Sequence, residues 1–402
     1  MGLLIDRTTI EDHTADIPEF SLVLGGPLYQ LLLRAKLIRP PLRHLGWRVG
    51  VITGIAWLPL LALTILGGRF TSGVNVPFLY DFEVHARLLF SLPILIVGEL
   101  LVYVRMRTLT AQFVERRIVV ASTRPAFDAI ISSAMRMRNS VIAELALLLL
   151  VIFAGPQIWR NGLALHANTW YATLTGSELT YTPAGYWYVF FSVPLFQFTL
   201  LRWYYRIAIW CRFLFQVSRL DLNLEPLHPD RCCGLGFLGN VIFAFAPLLM
   251  AHSGIVAGYI ADRVLHGGAR LPDYKFELIG LAVFLLALVL APLFVFAPKL
   301  NDARIAGLRT YGALASDYVV DFARKWTPAG NTESEPLLGS ADIQSLADLA
   351  NSFAVVREVK VVPFGKETII RFLILIAVPL TPLAFTVFSP DEMLKGLVSI
   401  LF

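Results

Sequence analysis

Charge is scarce in this chain of 402 residues: Asp, Glu, Lys and Arg make up only 16%, against 56% hydrophobic residues. One soluble core of this length cannot bury so much apolar surface, which excludes an ordinary soluble domain and points to lipid as the solvent. Cysteine is also sparse, with Cys211, Cys232 and Cys233 alone, so no disulfide framework is expected. Catalytic signatures are missing: there is no nucleophile elbow, H-E-x-x-H pair, Walker loop or EF-hand, which argues against a membrane enzyme. The first 46 residues hold Asp6, Glu11, Asp12, Asp16 and Glu19 and no apolar run with a cleavage site, so they do not read as a secretory signal.

What the chain has instead is apolar windows. A helix needs roughly 20 residues to cross about 30 Å of hydrocarbon, and seven windows approach that length: Gly50 to Leu66, Leu88 to Val104, Val141 to Ile158, Tyr186 to Leu201, Val241 to Ile260, Leu278 to Phe296 and Thr368 to Phe388. The expected fold is an all-α polytopic membrane helix bundle with about seven transmembrane helices and cytoplasmic amphipathic helices. Pro59, Pro93, Pro194, Pro247, Pro292, Pro379 and Pro382 lie inside the windows and predict kinks. Of the 34 Lys and Arg residues, 27 precede the first window or follow the second, fourth and sixth, with Arg371 at the start of the last window counted among them, and 7 lie elsewhere. That asymmetry predicts a cytoplasmic N-terminus and an external C-terminus. Trp159, Trp170, Tyr171, Tyr181, Tyr186, Trp187 and Tyr188 read as an aromatic belt at the outer interface.

The organisation follows. Residues 1–46 form a cytoplasmic N-terminal segment with an interfacial helix from Leu22 to Ile38. Residues 47–298 form six spans with basic cytoplasmic loops at 105–139 and 202–240. Residues 299–366 are a cytoplasmic helical segment: the sixth span continues past Pro298 with Leu300, Ile305, Leu308, Tyr311, Ala315, Phe322 and Trp326 as one stripe. A second helix is capped by Ser340, carries Ile343, Leu346, Leu349, Phe353 and Val356, and ends at Pro363. Residues 367–402 hold the last span and an interfacial helix from Asp391 to Phe402. No internal repeat is strong enough to imply inverted symmetry.

Ionisable groups inside spans are expensive and are the first places to look for function. Glu99 lies six residues before Arg105 and Glu144 six after Arg138, so both sit about 9 Å inside the cytoplasmic boundary at 1.5 Å per residue. Arg202 and Arg371 fall near that depth. These four read as a polar site in which the carboxylates bind a cation or proton and the arginines supply counter-charge or bind an anion. The competing reading is interfacial pairing that fixes helix packing. His252, in the middle of the fifth span, reads as a packing histidine or a proton relay.

The loop from Glu225 to Asn240 is the densest motif. Gly234-x-Gly236-x-x-Gly239 matches the dinucleotide fingerprint in letters, but a proline-containing loop precedes it where a strand is required. His228, Asp230, Cys232 and Cys233 are too crowded to complete a zinc tetrahedron without a further ligand pair. The glycines read as a tight turn, or as backbone N–H groups at the start of span five that bind an anion with help from Arg231. The run HPDRCCGLGFLG, with SADIQSLADLANSF, VVPF and RNSVIAEL, resembles a family of uncharacterised bacterial multi-pass inner-membrane proteins along nearly the whole chain. The resemblance implies architecture and location and no particular activity. Such proteins have Ala-Gly at the positions of Cys232-Cys233, which implies no essential role for the thiols.

The leading expectation is a channel or transporter for an ion or small solute, working as a homo-oligomer in a lipid bilayer, with an anionic lipid or small ion as ligand and with no cofactor, metal or nucleic acid. A membrane-embedded sensor or scaffold using the cytoplasmic helices is the alternative, and an enzyme using His228 and Asp230 is the third.

Overall fold

Lipid offers backbone groups no hydrogen bonds, so apolar windows of this length fold as helices that satisfy their own amides. A computed structural model describes residues 20–37, 44–162, 168–175, 178–327 and 340–384. After a short α1 (Pro27–Arg34), the helices are α2 (Leu45–Leu66), α3 (Phe82–Glu115), α4 (Arg124–Arg138) and α5 (Val141–Gly162). The hairpin of β1 (Ala172–Thr175) and β2 (Glu178–Tyr181) pairs antiparallel, Thr173 opposite Thr180. Then come α6 (Pro183–Val217), α7 (Leu235–Gly267), α8 (Leu271–Trp326), α9 (Ala341–Arg357) and α10 (Lys366–Ala384).

Among the described residues, six helices are long and apolar enough to cross a membrane: α2, α3, α6, α7, α8 and α10. The third expected window coincides with α5, whose side chains beyond Phe153 lie outside the described residues. The architecture is the all-α polytopic bundle expected. In α7 and α3, 67% and 56% of the most apolar window is buried, against 17% in α2 and in α10. Thus α7 and α3 form the centre, and α2 and α10 present apolar faces outward.

Five of the expected prolines accompany a change of helix winding, because proline removes an N–H and pushes away the carbonyl one turn back, whereas Pro59 lies in uninterrupted α-helix. A π-helical turn precedes Pro93 (Ala86–Ser91) and another precedes Pro194 (Tyr188–Ser192), while 3₁₀ turns precede Pro247 or contain Pro292 and Pro379. The two π turns carry one motif, Phe90-Ser91-x-Pro93 and Phe191-Ser192-x-Pro194. Ser91 donates to the Ala251 carbonyl at 2.9 Å and Ser192 to that of Ala56 at 2.7 Å. Helices α3 and α6 start at the same end of the bundle, where Val76 bridges Thr169, so the motif is repeated in parallel.

Several expectations change. The N-terminal helix spans only Pro27–Arg34, and the residues before it are not interfacial: Phe20, Ser21, Leu22 and Val23 are buried, with Phe20 packed 4.5 Å from Phe213. Trp170, Tyr171 and Tyr188 are core residues, leaving Tyr186 exposed as a belt residue would be. Ser340 caps α9 as expected, its Oγ accepting the Asp342 N–H at 3.1 Å, but α9 ends at Arg357, well before Pro363. Helix α8 does continue past Pro298, and α9 folds back along it; Ile305 and Ile343 are exposed on the outer side of this hairpin. The stretch Asp391 to Phe402 lies outside the described residues.

Candidate functional site

Two polar clusters lie at opposite ends of the α3–α6 pair. At the basic end, the first turn of α2 supplies Arg48, α3 supplies Glu99, the first turn of α5 supplies Glu144, and α6 supplies Arg202 and Arg206, one turn apart. Glu99 is the hub. It pairs with Arg48 at 2.9 Å and Arg202 at 3.5 Å, and accepts a hydrogen bond from Arg206. Arg202 also reaches Glu144 at 3.3 Å, so it ties the two carboxylates together. Arg48 donates a second bond to the Ile96 carbonyl at 2.9 Å, and Arg206 stacks 5.4 Å from the Trp203 ring. Gly98 allows this convergence: a Cβ there would lie 2.5 Å from Pro247 and 2.8 Å from Trp203.

The cluster does not open directly at the basic end. The other oxygen of Glu144 accepts the Leu28 N–H at 2.7 Å, and Arg138 grips the Ser21 carbonyl at 2.7 Å. Gly26, at φ +87°, turns the chain against Glu144. Residues 20–28 therefore form a plug between the carboxylates and the bundle's end.

Of the expected site residues, Glu99, Glu144 and Arg202 meet. Arg371 stays outside, largely exposed on α10 and 3.9 Å from Glu367. His252 forms its own pair, hydrogen-bonded to the Tyr204 hydroxyl at 2.6 Å and to the Leu248 carbonyl at 2.8 Å. Arg48 and Arg206 are the members that sequence reasoning missed.

At the opposite end, Arg87 in the π turn of α3 bonds Glu83 and the Tyr188 hydroxyl in the π turn of α6. Asp81 accepts from Val84 N–H at 2.9 Å and from the Trp170 indole at 2.8 Å. Asp262 on α7 accepts the N–H groups of Phe82 and Glu83, both at 2.9 Å, and so caps α3 from a neighbouring helix.

The motif loop is organised around Asp230. Its carboxylate accepts the N–H groups of Cys232, Gly234 and Gly236 at 2.8, 3.1 and 2.9 Å, and lies 2.9 Å from His228 and 3.5 Å from Arg116. The N–H groups of Gly234 and Gly236, expected to face an anion, thus already face one from this chain. Gly239 packs on the Pro363 carbonyl, and Arg231 faces Glu358 at 2.6 Å instead of the glycine turn. Burial, reinforced by the charge of Asp230, pushes the Cys232 thiol up to about 11 and the Cys233 thiol up to about 12. Among the described residues, no group of three or more His, Cys, Asp or Glu side chains could hold a metal ion. No family model, curated protein or solved structure matches the chain.

Proposed function

We propose that this multi-pass membrane protein moves a small solute across the bilayer, with the Arg48–Glu99–Arg202–Arg206–Glu144 cluster as its solute site and residues 20–28 as its gate. The observation that carries this reading is a five-member ionic cluster, drawn from four helices, whose cover is the chain segment 20–28, packed through Phe20, Leu22 and Val23 and joined to Glu144 and Arg138 by single polar contacts. Packing alone needs no such arrangement, since apolar side chains pin helices without the cost of desolvating charge. The 27-to-7 distribution of basic residues favours a cytoplasmic location for the plugged end, and the motif resemblance favours a bacterial inner membrane.

The test is flux in liposomes containing the full chain, compared with Gly26→Val. A side chain at Gly26 meets the Arg138 carbonyl at 3.1 Å and Glu144 at 3.3 Å on a left-handed backbone, so it loosens the plug. Raised flux of small ions in the variant supports the reading; absence of flux in both proteins, with correct insertion verified, rejects it. A second reading, a scaffold, is favoured by the exposed Leu314, Val319 and Val320 along α8. Charged substitutions there reduce self-association in detergent if that face joins copies of the chain.

A further inference from the structure

We infer that the ligand of the buried cluster is a small anion, an inference that deepens the transport reading and rests on it for passage across the membrane. The net charge of the cluster points to an anion. Three guanidiniums, which stay protonated in proteins, face two carboxylates, and the side chains of Arg48 and Arg206 are only 2% and 4% exposed. A buried charge without a counter-charge is strongly unfavourable. One positive charge is thus in excess even with Glu99 and Glu144 both ionised. Arg138, on the plug's path, adds another, and it is spent on the Ser21 carbonyl and Asn139.

Hydrogen-bond capacity points the same way. Arg206 Nη1 and Arg48 Nε are buried without hydrogen-bond partners. Five residues after Arg48 on α2 and five before Arg202 on α6, about 7.5 Å toward the bundle's middle, Thr53 Oγ1 and Gln197 Oε1 are also buried without partners. At this depth the unpartnered atoms are a hydroxyl, which donates or accepts, and an amide oxygen, which accepts; the excess of donors lies with the guanidiniums. Planar guanidinium forks match oxyanions and carboxylates better than any cation. Glu99 is then the chain's own anion seated in the site. An incoming anion competes with it for Arg206 and Arg202.

That competition reverses the outcome expected for a cation site. Removing the charge of Glu99 strengthens anion binding, and removing Arg206 weakens it. The experiment measures thermal stabilisation of the detergent-purified full chain by sodium nitrate and sodium formate, at constant ionic strength held with a bulky organic anion, for the wild type, Glu99→Gln and Arg206→Leu. Potassium and choline replace sodium in parallel. In Glu99→Gln the half-saturating nitrate concentration should fall about tenfold or more, the scale of one charge-assisted hydrogen bond freed for the ligand. In Arg206→Leu the nitrate dependence should disappear. Glu144→Gln, which frees Arg202 and leaves the Glu99 hub intact, provides the same sign if Glu99→Gln does not fold. Stabilisation that follows the cation and vanishes in Glu99→Gln overturns the anion assignment while leaving transport standing. Anion binding without liposome flux overturns transport and leaves the anion site. No dependence on either ion rejects the site.

Discussion

Replacing Asp230 by Ala removes the acceptor on which a whole turn depends. Three backbone N–H groups, of Cys232, Gly234 and Gly236, lose their partner at once. Each unsatisfied group costs about 1 to 3 kcal/mol when buried, but the loop borders an open cleft of about 470 Å³ shared with Lys360 and Lys366, where water reaches part of it. A total near the low end, about 3 kcal/mol, follows. The turn also holds Arg231, Cys233 and Gly234 at φ 55°, 53° and 95°, and two of these are non-glycine residues whose strain the carboxylate helps to offset. Asp230→Asn should fall between: its oxygen keeps the bonds to Cys232 and Gly234, while its amide nitrogen faces the Gly236 N–H and Arg116. The assay is labelling by a thiol-reactive fluorophore during heating, in a Cys211→Ala background, because Cys232 and Cys233 are buried in the turn. Onset temperatures should rank wild type, then Asn, then Ala. An Ala variant with the wild-type onset refutes the claim that Asp230 organises the loop.

Gly98→Val places methyl groups where Pro247 and Trp203 already lie; overpacking should cost about 1 to 3 kcal/mol, and loss of the tryptophan emission change on detergent unfolding at lower temperature checks it. The two raised thiols give a pH window: the unfolded chain deprotonates near 9.0, the folded turn only at about 11 and about 12, so their stabilising contribution is present below pH 9 and is lost as pH rises toward 12. Alkylation of native protein at pH 8 should accordingly be far slower than that of unfolded protein; equal rates contradict the burial. Cys232→Ala with Cys233→Gly should remain folded by the same labelling-independent melt, because glycine relieves the left-handed φ at position 233 and offsets some lost packing.

The spans were legible because the bilayer fixes their length, and Glu99 and Glu144 because a carboxylate inside such a window is conspicuous. Arg48 and Arg206 were not. Each lies just outside an apolar window, where an arginine snorkelling to the interface and one turned inward have the same sequence; only packing against α3 separates them. Arg371 shows the reverse, sharing the expected depth while facing outward. The burial of residues 20–24 was illegible for a different reason: Leu22 and Leu24 fit the stripe of an interfacial helix, and their burial depends on partners far along the chain, such as Phe213 on α6 for Phe20 and Arg138 at the end of α4 for Ser21. Trp170 and Tyr188 were misread because aromatic residues near a span's end occur both in interfacial belts and in cores, and the polar partner, here Asp81 or Arg87, comes from a distant segment.

The plug and the charge excess explain each other better than either is explained alone. Were the cluster only a helix fastener, one guanidinium for each carboxylate would suffice, and a well-packed apolar substitute would serve equally. Instead Glu99 gathers three arginines and leaves part of their donor capacity unused. Such an arrangement is expensive to bury and is tolerable only while an internal carboxylate stays seated and the bundle's end stays closed. The Leu28 N–H on Glu144 links those two conditions. Drawing the plug away removes a donor from Glu144, which can then compete more strongly for Arg202 and loosen its hold on Glu99. The segment 20–28 and Arg202 therefore share Glu144 as an acceptor, so that on the proposed reading a change at one should be felt at the other.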